Sequence, residues 1–287
     1  MFIFIGLIVV VGSVLGGYMW HGGKVMALNQ PSEVLIIGGA ALGGMLISTP
    51  ITVIKGIISQ LIDSLKGSKY GKKDYLDLLV MMFEVFNVAR RDGLVGLENH
   101  IEHPKESDIF KRYPKFLKNH HAQSFFVDTM RVIISGSVQP HDLEELMDGD
   151  IESVHEEEER PANALATVAD ALPGLGIVAA VLGVVITMAH IDGPPSEIGN
   201  KVAAALVGTF LGIIGSYGFV GPLSNALKHG LNDGHQYLTC MKHALLSFNK
   251  GVAGVIAVEF ARRSLYNEVR PGFLELEAAC NDAKKRK

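Results

Sequence analysis

Apolar residues are concentrated in four long runs, and this pattern predicts four membrane-spanning helices. Each run is almost free of charge, and they cover residues 2–20, 34–54, 171–191 and 202–222. A hydrocarbon core about 30 Å thick needs roughly 20 helical residues. A buried helix of a large soluble protein is also apolar, but four such runs in one chain favour the membrane. Because no Lys or Arg precedes the first run, we interpret it as a retained span rather than a signal peptide.

Basic residues are distributed unevenly between the connecting segments. Only Lys24 lies between the first two runs and only Lys201 between the last two, at the edge of its segment. The positive-inside rule therefore places both short loops outside and both termini in the cytoplasm. The predicted order is span 1–20, outer loop 21–33, span 34–54, cytoplasmic domain 55–169, span 170–191, outer loop 192–201, span 202–222 and cytoplasmic helical region 223–287.

Composition narrows the class of protein. Of 287 residues, 48% are hydrophobic and 20% charged, the net charge is −4, and the mean hydropathy is +0.27. These values exclude a disordered chain and do not support nucleic-acid binding. The two cysteines, Cys240 and Cys280, are too few for a disulfide scaffold, and in the reducing cytoplasm we expect free thiols.

The interiors of the spans contain no Asp, Glu, Lys or Arg. Glu33, Asp170 and Lys201 lie only at edges, and His190 lies near the outer end of the third span. An ion relay through a membrane normally needs an intramembrane ionisable group, so a partner would have to supply it. The Thr209 hydroxyl could stabilise a partner's carboxylate, or it could bond to its own helix carbonyl.

Small residues and prolines mark the spans. The pairs Gly12–Gly16, Gly39–Gly43 and Gly208–Gly212 have the four-residue spacing of close helix packing, within the chain or between subunits. Pro173 could start a helix capped by Asp170, or act as a kink or hinge. Pro222 lies where the fourth span leaves the membrane and could kink a helix that continues into the cytoplasm.

The region between spans two and three is predicted to be helical. One helical face carries Leu76, Leu79, Val80, Phe83 and Phe86. Asp92-Gly93 should end that helix, and a second should cover residues 94–101 before Pro104. Residues 132–134 fit either a short strand or helix. The charges at this junction (Arg90, Arg91, Asp92 and Glu98) and the acidic run 156–159 most simply form solvated faces.

Motifs for enzyme chemistry are missing from the sequence. Residues 17–24 resemble a phosphate loop only superficially, because the spacing is wrong and no Ser or Thr follows Lys24. The pair His120-His121 is a weak metal signal by itself. We therefore predict no catalytic residues, no metal and no cofactor.

Several motifs resemble the MotA/PomA family of flagellar stator subunits. They comprise Gly16-Gly-Tyr18, Ile133-Ile-Ser-Gly136, Pro161-Ala-Asn-Ala-Leu-Ala166, residues 172–185 (LPGLGIVAAVLGVV), residues 207–213 (VGTFLGI) and residues 217–222 (YGFVGP). The resemblance covers nearly the whole chain, including its length, its topology and the large inner loop. It implies an all-α membrane protein with four transmembrane helices, a large helical cytoplasmic domain between helices 2 and 3, and a cytoplasmic C-terminal helical extension.

The resemblance also implies partners and residue roles. Family members form a ring of five around two copies of a MotB-like B subunit, whose single transmembrane helix carries the essential Asp, in the lipid of the bacterial inner membrane. Pro173 and Pro222 match the family's two functional prolines, which favours the hinge interpretation. Arg90 and Glu98 match the charged pair that engages the rotor protein FliG, whereas Arg91 and Asp92 keep the solvated-face interpretation.

The residue at position 180 bears on which ion such a stator would use. Sodium-driven members are similar to one another in carrying Thr where Ala180 stands, and Ala180 has no oxygen for a hard cation. Thr209 is shared by both classes, so we predict proton coupling. One alternative is an ExbB/TolQ-like energiser of an outer-membrane process, although such proteins typically have three spans. Another is a membrane scaffold without ion flux.

Overall fold

A computed structural model describes residues 2–66, 70–136 and 138–285, and within these ranges the chain is helical with no strand. The chain divides into two compact units. Unit 1 comprises residues 1–67 and 158–230, and unit 2 comprises residues 68–157 and 231–287. Because two long helices contribute residues to both units, each unit is assembled from separated parts of the sequence.

Unit 1 holds the helices that are long and apolar enough to cross a membrane. Its helices are α1 (Phe2–Trp20), α2 (Pro31–Ser48), α3 (Ile51–Lys66), the second part of α8 (Pro140–Met188), α9 (Pro195–Ile214) and the start of α10 (Gly221–Asn249). Four helical segments of sufficient length and hydropathy are present, and they correspond to the four predicted spans. The predicted fold class is confirmed.

The second apolar run is divided rather than continuous. Helix α2 ends at Ser48, Thr49 is extended, and α3 begins at Ile51 immediately after Pro50. Proline lacks the donor for an i−4 hydrogen bond and forces the preceding residue out of the helical region. The run 34–54 therefore combines most of one apolar helix with the first turn of another, which is amphipathic.

The helices of unit 1 pack through a small apolar cluster and through some, but not all, of their glycines. A small buried cluster joins Ile37 and Ala41 of α2 to Leu172 and Ala179 of α8. Open space surrounds Gly12, Gly16, Gly39 and Gly43. The glycine pairs of α1 and α2 are therefore not used for helix packing within the chain, whereas Gly208 and Gly212 of α9 are.

Unit 2 has a conventional hydrophobic core. It contains α4 (Lys72–Asp92), α5 (Val95–Glu102), α6 (Pro114–Lys118), α7 (His120–Ile134), the first part of α8, most of α10, α11 (Gly254–Arg263) and α12 (Phe273–Lys285). Helix α4 is buried on most of its surface and packs against α5, α11 and α12. The predicted apolar face is correct, with Leu79, Val80, Phe83 and Phe86 buried and Leu76 partly buried.

Three features of unit 2 bear on what the sequence predicted or left open. Gly93 adopts φ +75°, which ends α4 at Asp92 and allows α5 to begin two residues later. Residues 132–134 belong to α7, so the helical alternative is correct. Cys240 and Cys280 are both buried free thiols.

Candidate functional site

Helices α8 and α9 approach each other backbone to backbone. A Cβ placed on Gly212 would lie 2.6 Å from the Leu172 carbonyl oxygen and 2.8 Å from the Gly176 Cα. A Cβ on Gly176 would lie 2.9 Å from the Gly208 carbonyl oxygen. Only glycine permits such separations, so these three positions fix the spacing of the two helices.

Two of the predicted ion-coupling residues, Ala180 and Thr209, lie at this contact. The Thr209 Cα is 3.3 Å from the point where a Cβ on Gly176 would stand, and the Ala180 backbone nitrogen is 3.3 Å from the corresponding point on Gly208. The contact between α8 and α9 thus brings together residues separated by 29 positions in the sequence.

The Thr209 hydroxyl makes no hydrogen bond in the part of the chain that the structure describes. It lines a cavity of about 720 Å³ whose other walls include Val10 and Val14 of α1 and Phe210 of α9. Thr187, by contrast, donates a 2.8 Å hydrogen bond to the Gly183 carbonyl of its own helix. Back-bonding therefore applies to Thr187, and the Thr209 hydroxyl stays available.

Pro173 lies in the interior of α8, far from the helix N-terminus at Pro140. The helix-starter interpretation, with Asp170 as a cap, is therefore wrong, because α8 continues unbroken from unit 2 into the span. An interior proline leaves the carbonyl four residues earlier, that of Ala169, without its usual donor.

Pro222 follows an irregular segment. The α-helical geometry of α9 ends at Ile214, a π-helical stretch covers Gly215–Val220, and Pro222 is the second residue of α10. A π-helical turn is a recognised site of helix bending, so the predicted kink has a structural basis. Pro222 lines a cavity of about 310 Å³ whose walls include the polar side chains of Asp170, Ser216, Ser224 and Asn225.

The Ser224 hydroxyl connects the two long helices beside this cavity. It donates a 2.8 Å hydrogen bond to the Ala162 carbonyl of α8, and both groups are buried. The bond holds α8 and α10 together two residues after Pro222.

Glu33 was predicted to lie at the edge of the second span, but in the structure it is buried. Its side chain is only 6% exposed, and its Oε2 atom lies 2.6 Å from the position a Cβ would occupy on Gly208. Gly208 is well inside α9, so the first turn of α2 packs beside the middle of that span. The spacing of Glu33 from the apolar run gave no signal of this contact.

Arg90 and Glu98 lie on either side of the α4–α5 junction in unit 2. Both side chains are exposed, and neither makes an ion pair or hydrogen bond within the described residues. Their neighbours Arg91 and Asp92 pair with each other, through two hydrogen bonds of 2.9 and 2.7 Å. The structure therefore separates the four junction charges into one satisfied pair and two free groups.

A cavity of about 620 Å³ opens beside Arg90. Its walls include Glu84, His100, Arg112 and Lys284. Glu84 is almost completely buried and accepts a 2.5 Å hydrogen bond from Arg112. This ion pair was not predicted, because α4 has no periodic charge that would mark it.

Burial, rather than a catalytic arrangement, shifts the pKa values of other titratable groups in unit 2. Burial and the neighbouring His155 imidazole lower the pKa of His235, whose ring lies 5.0 Å from that of His155. Burial raises the pKa of the Cys280 thiol to about 12. No group of three His, Cys, Asp or Glu side chains suited to a metal exists among the residues described.

Comparison with known proteins decides the family. Residues 4–93 match the family described as Motility protein A N-terminal, and residues 117–238 match the MotA/TolQ/ExbB proton channel family. Motility protein A of Salmonella typhimurium is 45% identical over 277 residues, covering 96% of this chain and 94% of its own length. The chain belongs to the motility protein A family. As a family member it is a multi-pass inner-membrane stator subunit of the bacterial flagellar motor, and not an enzyme.

Further relatives agree with membership of the motility protein A family. The Escherichia coli Motility protein A is 44% identical over 96% of this chain and 94% of its own. Chemotaxis protein LafT of Vibrio parahaemolyticus is 38% identical over 96% of both chains. These names favour the flagellar motor over an outer-membrane energiser.

Solved structures of flagellar stators have the same fold. The Bacillus subtilis MotAB stator complex matches with a TM-score of 0.72 at 23% identity, covering 94% of this chain and 98% of that one. The structure of C. jejuni MotAB matches with a TM-score of 0.73 at 21% identity, covering 93% of this chain and 96% of that one.

Proposed function

We propose that this chain forms the proton channel of a flagellar stator with a MotB-like subunit that supplies a membrane-embedded Asp. One observation carries the proposal. The α8–α9 pair has its backbones in contact, yet residues 171–189 and 202–220 contain no Asp, Glu, Lys or Arg. Ion transfer along this pair needs an ionisable group from outside it. The similarity to chains of MotAB complexes supports a B subunit as its source.

The stoichiometry we propose is five copies of this chain around two B subunits, embedded in membrane lipid. The open surfaces at Gly12, Gly16, Gly39 and Gly43 support further helix contacts outside the chain. Both termini and unit 2 are cytoplasmic in this arrangement, and the loops 21–33 and 192–201 are periplasmic, in agreement with the distribution of Lys and Arg.

The coupled ion in this proposal is the proton. Ala180 at the α8–α9 contact has no side-chain oxygen to replace a water of a hydrated sodium ion. The free hydroxyl of Thr209 can donate a hydrogen bond to the partner's carboxylate or accept one from its protonated form. Pro173 and Pro222 are the hinges through which a change in the carboxylate's protonation moves α8 and α10.

The rotor protein FliG is the partner we propose for Arg90 and Glu98. Two exposed and unpaired charges of opposite sign, on either side of the turn at Gly93, suit a partner surface that also carries both signs. Such contacts contribute most to orientation and specificity, and they weaken with salt.

Co-expression with the partner tests the central part of the proposal. The chain would be produced with the B-type subunit carrying its transmembrane Asp, or the Asp→Asn variant, in a strain that lacks its own stators. We expect motility with Asp and none with Asn, although equal amounts of complex reach the membrane. Motility with Asn would show that the carboxylate is not the ion carrier.

A further inference from the structure

Glu33 is a buried carboxyl group in the membrane unit. It is 6% exposed, and its Oε2 atom is buried and has no hydrogen-bond partner. Glu33 Oε2 lies 2.6 Å from the position that a Cβ would occupy on Gly208. The next closest atoms to that position are the Ala179 Cβ at 3.2 Å and the Ala180 backbone nitrogen at 3.3 Å. The acid therefore lies beside one of the predicted ion-coupling residues.

Glu33 makes no ion pair within the described residues, Lys24 included, although Lys24 directly precedes the short 3-10 helix Val25–Leu28 that packs against α9. On α9 the nearest charged residues are Lys201 and Glu197, seven and eleven positions before Gly208. At 1.5 Å per residue these lie about 10 and 16 Å along the helix. On α8, Asp170 is ten positions from Ala180, and α1 carries no charged residue. A buried carboxylate without a counter-charge or donor is costly, which favours the protonated acid.

We propose that Glu33 is a second proton-binding site of the stator, placed on the outer side of the channel. Its carboxylate takes one proton from periplasmic water, becomes a neutral acid, and passes that proton to the carboxylate of the B subunit beside Ala180 and Thr209. The proton is the only species transferred, and Glu33 returns to its starting state. The inference rests on the proposed stator function and adds an entry step to it.

Glu33→Gln separates proton binding from packing. Glutamine has nearly the same shape, so the contact with Gly208 is retained while titration is lost. Rotation speed of tethered cells would be measured at external pH values from about 6 to about 8.5, with cytoplasmic pH held constant and complex amounts in the membrane compared. Glu33→Asp serves as the conservative variant that keeps a titrating group.

The expected result is a change in the pH profile. Glu33→Gln should rotate at nearly the unsubstituted speed at low external pH and about twofold or more slower at high pH, where protons to load the channel are scarce. Glu33→Asp should restore part of the speed at high pH. A Glu33→Gln speed profile that parallels that of the unsubstituted protein at all pH values would overturn the proposal. A loss of speed that is fully explained by a smaller amount of complex in the membrane would overturn it as well.

The two proposals fail differently. If the unsubstituted chain with its B subunit does not rotate at any pH, the stator proposal itself is wrong. If that complex rotates and Glu33→Gln rotates identically, only the entry step is wrong.

Discussion

Gly212 of α9 lies against Gly176 of α8, with no room for a side chain between them: a Cβ on Gly212 would stand 2.8 Å from the Gly176 Cα. The obstructing atoms are backbone atoms, which cannot rotate away. We predict that Gly212→Ala separates the helices and costs about 1–3 kcal/mol of packing free energy. Thermal unfolding of the purified stator complex would measure the loss.

A matched control for that substitution lies on the partner helix. Gly174 of α8 has open space around the position of a Cβ. Gly174→Ala should be neutral or slightly stabilising, because alanine favours helix by about 1 kcal/mol over glycine. Equal destabilisation by both substitutions would contradict the assignment of Gly212 to a close contact.

Pro173→Ala restores a backbone donor in the interior of α8. The amide of the new residue can bond to the Ala169 carbonyl, which straightens and stiffens the helix. We predict normal amounts of complex in the membrane and slow or absent rotation, measured by quantitative immunoblotting and by tethered-cell speed. Normal torque would show that bending at this proline is not part of the motor cycle.

Arg90 and Glu98 should respond to charge reversal more strongly than their neighbours. In the proposed rotor contact, Arg90→Glu or Glu98→Lys replaces an attractive charge with a repulsive one, so we expect torque to fall severalfold while membrane assembly is unchanged. Arg91→Glu makes the same change in charge at a side chain already paired with Asp92, and its effect should be smaller. Unchanged swimming speed after both single reversals would contradict direct rotor contact.

His235 should make unit 2 sensitive to acid. Because burial and His155 lower the pKa of His235 in the folded state, the unfolded chain binds the proton more readily. Stability is therefore unaffected well above pH 6.5, the ordinary pKa of His, and decreases as pH falls below it. Thermal unfolding of the complex at neutral and mildly acidic pH should show a smaller acid loss for His235→Gln than for the unsubstituted protein.

The exposed His141 at the start of α8 supplies the control for that measurement. His141→Gln should leave the acid dependence unchanged. If His235→Gln and His141→Gln give the same dependence on pH, the partly buried imidazole of His235 is not responsible for the acid loss.

Local patterns in the sequence predicted much of this fold because their physics is local. Apolar run length predicted the spans, and the Asp92-Gly93 dipeptide predicted the end of α4. The break at Pro50 was missed because hydropathy continues across it. The helix-starter alternative for Pro173 was wrong for a similar reason: an acid before a proline is typical of a helix start, but nothing local shows that the helix had already begun at Pro140.

Contacts between distant segments of the sequence explain what could not be predicted at the site. Glu33 is at an edge by sequence, and only the packing of α2 on α9 buries it against Gly208. The Glu84–Arg112 pair likewise requires the tertiary approach of two segments whose own patterns carry no signal of it. The candidate pair Arg90 and Glu98 came from family resemblance, whereas the structure supplied the reason they differ from Arg91 and Asp92, namely that the latter two satisfy each other.

Proton coupling is tested most directly by motility without sodium. The chain would be expressed with its B-type subunit in a strain lacking stators, and swimming speed measured at fixed pH in sodium-free medium and in medium with sodium. Because Ala180 offers no oxygen ligand for sodium, we predict rescue of motility to the same speed in both media. Motility that appears only when sodium is present would contradict the proton-coupled mechanism.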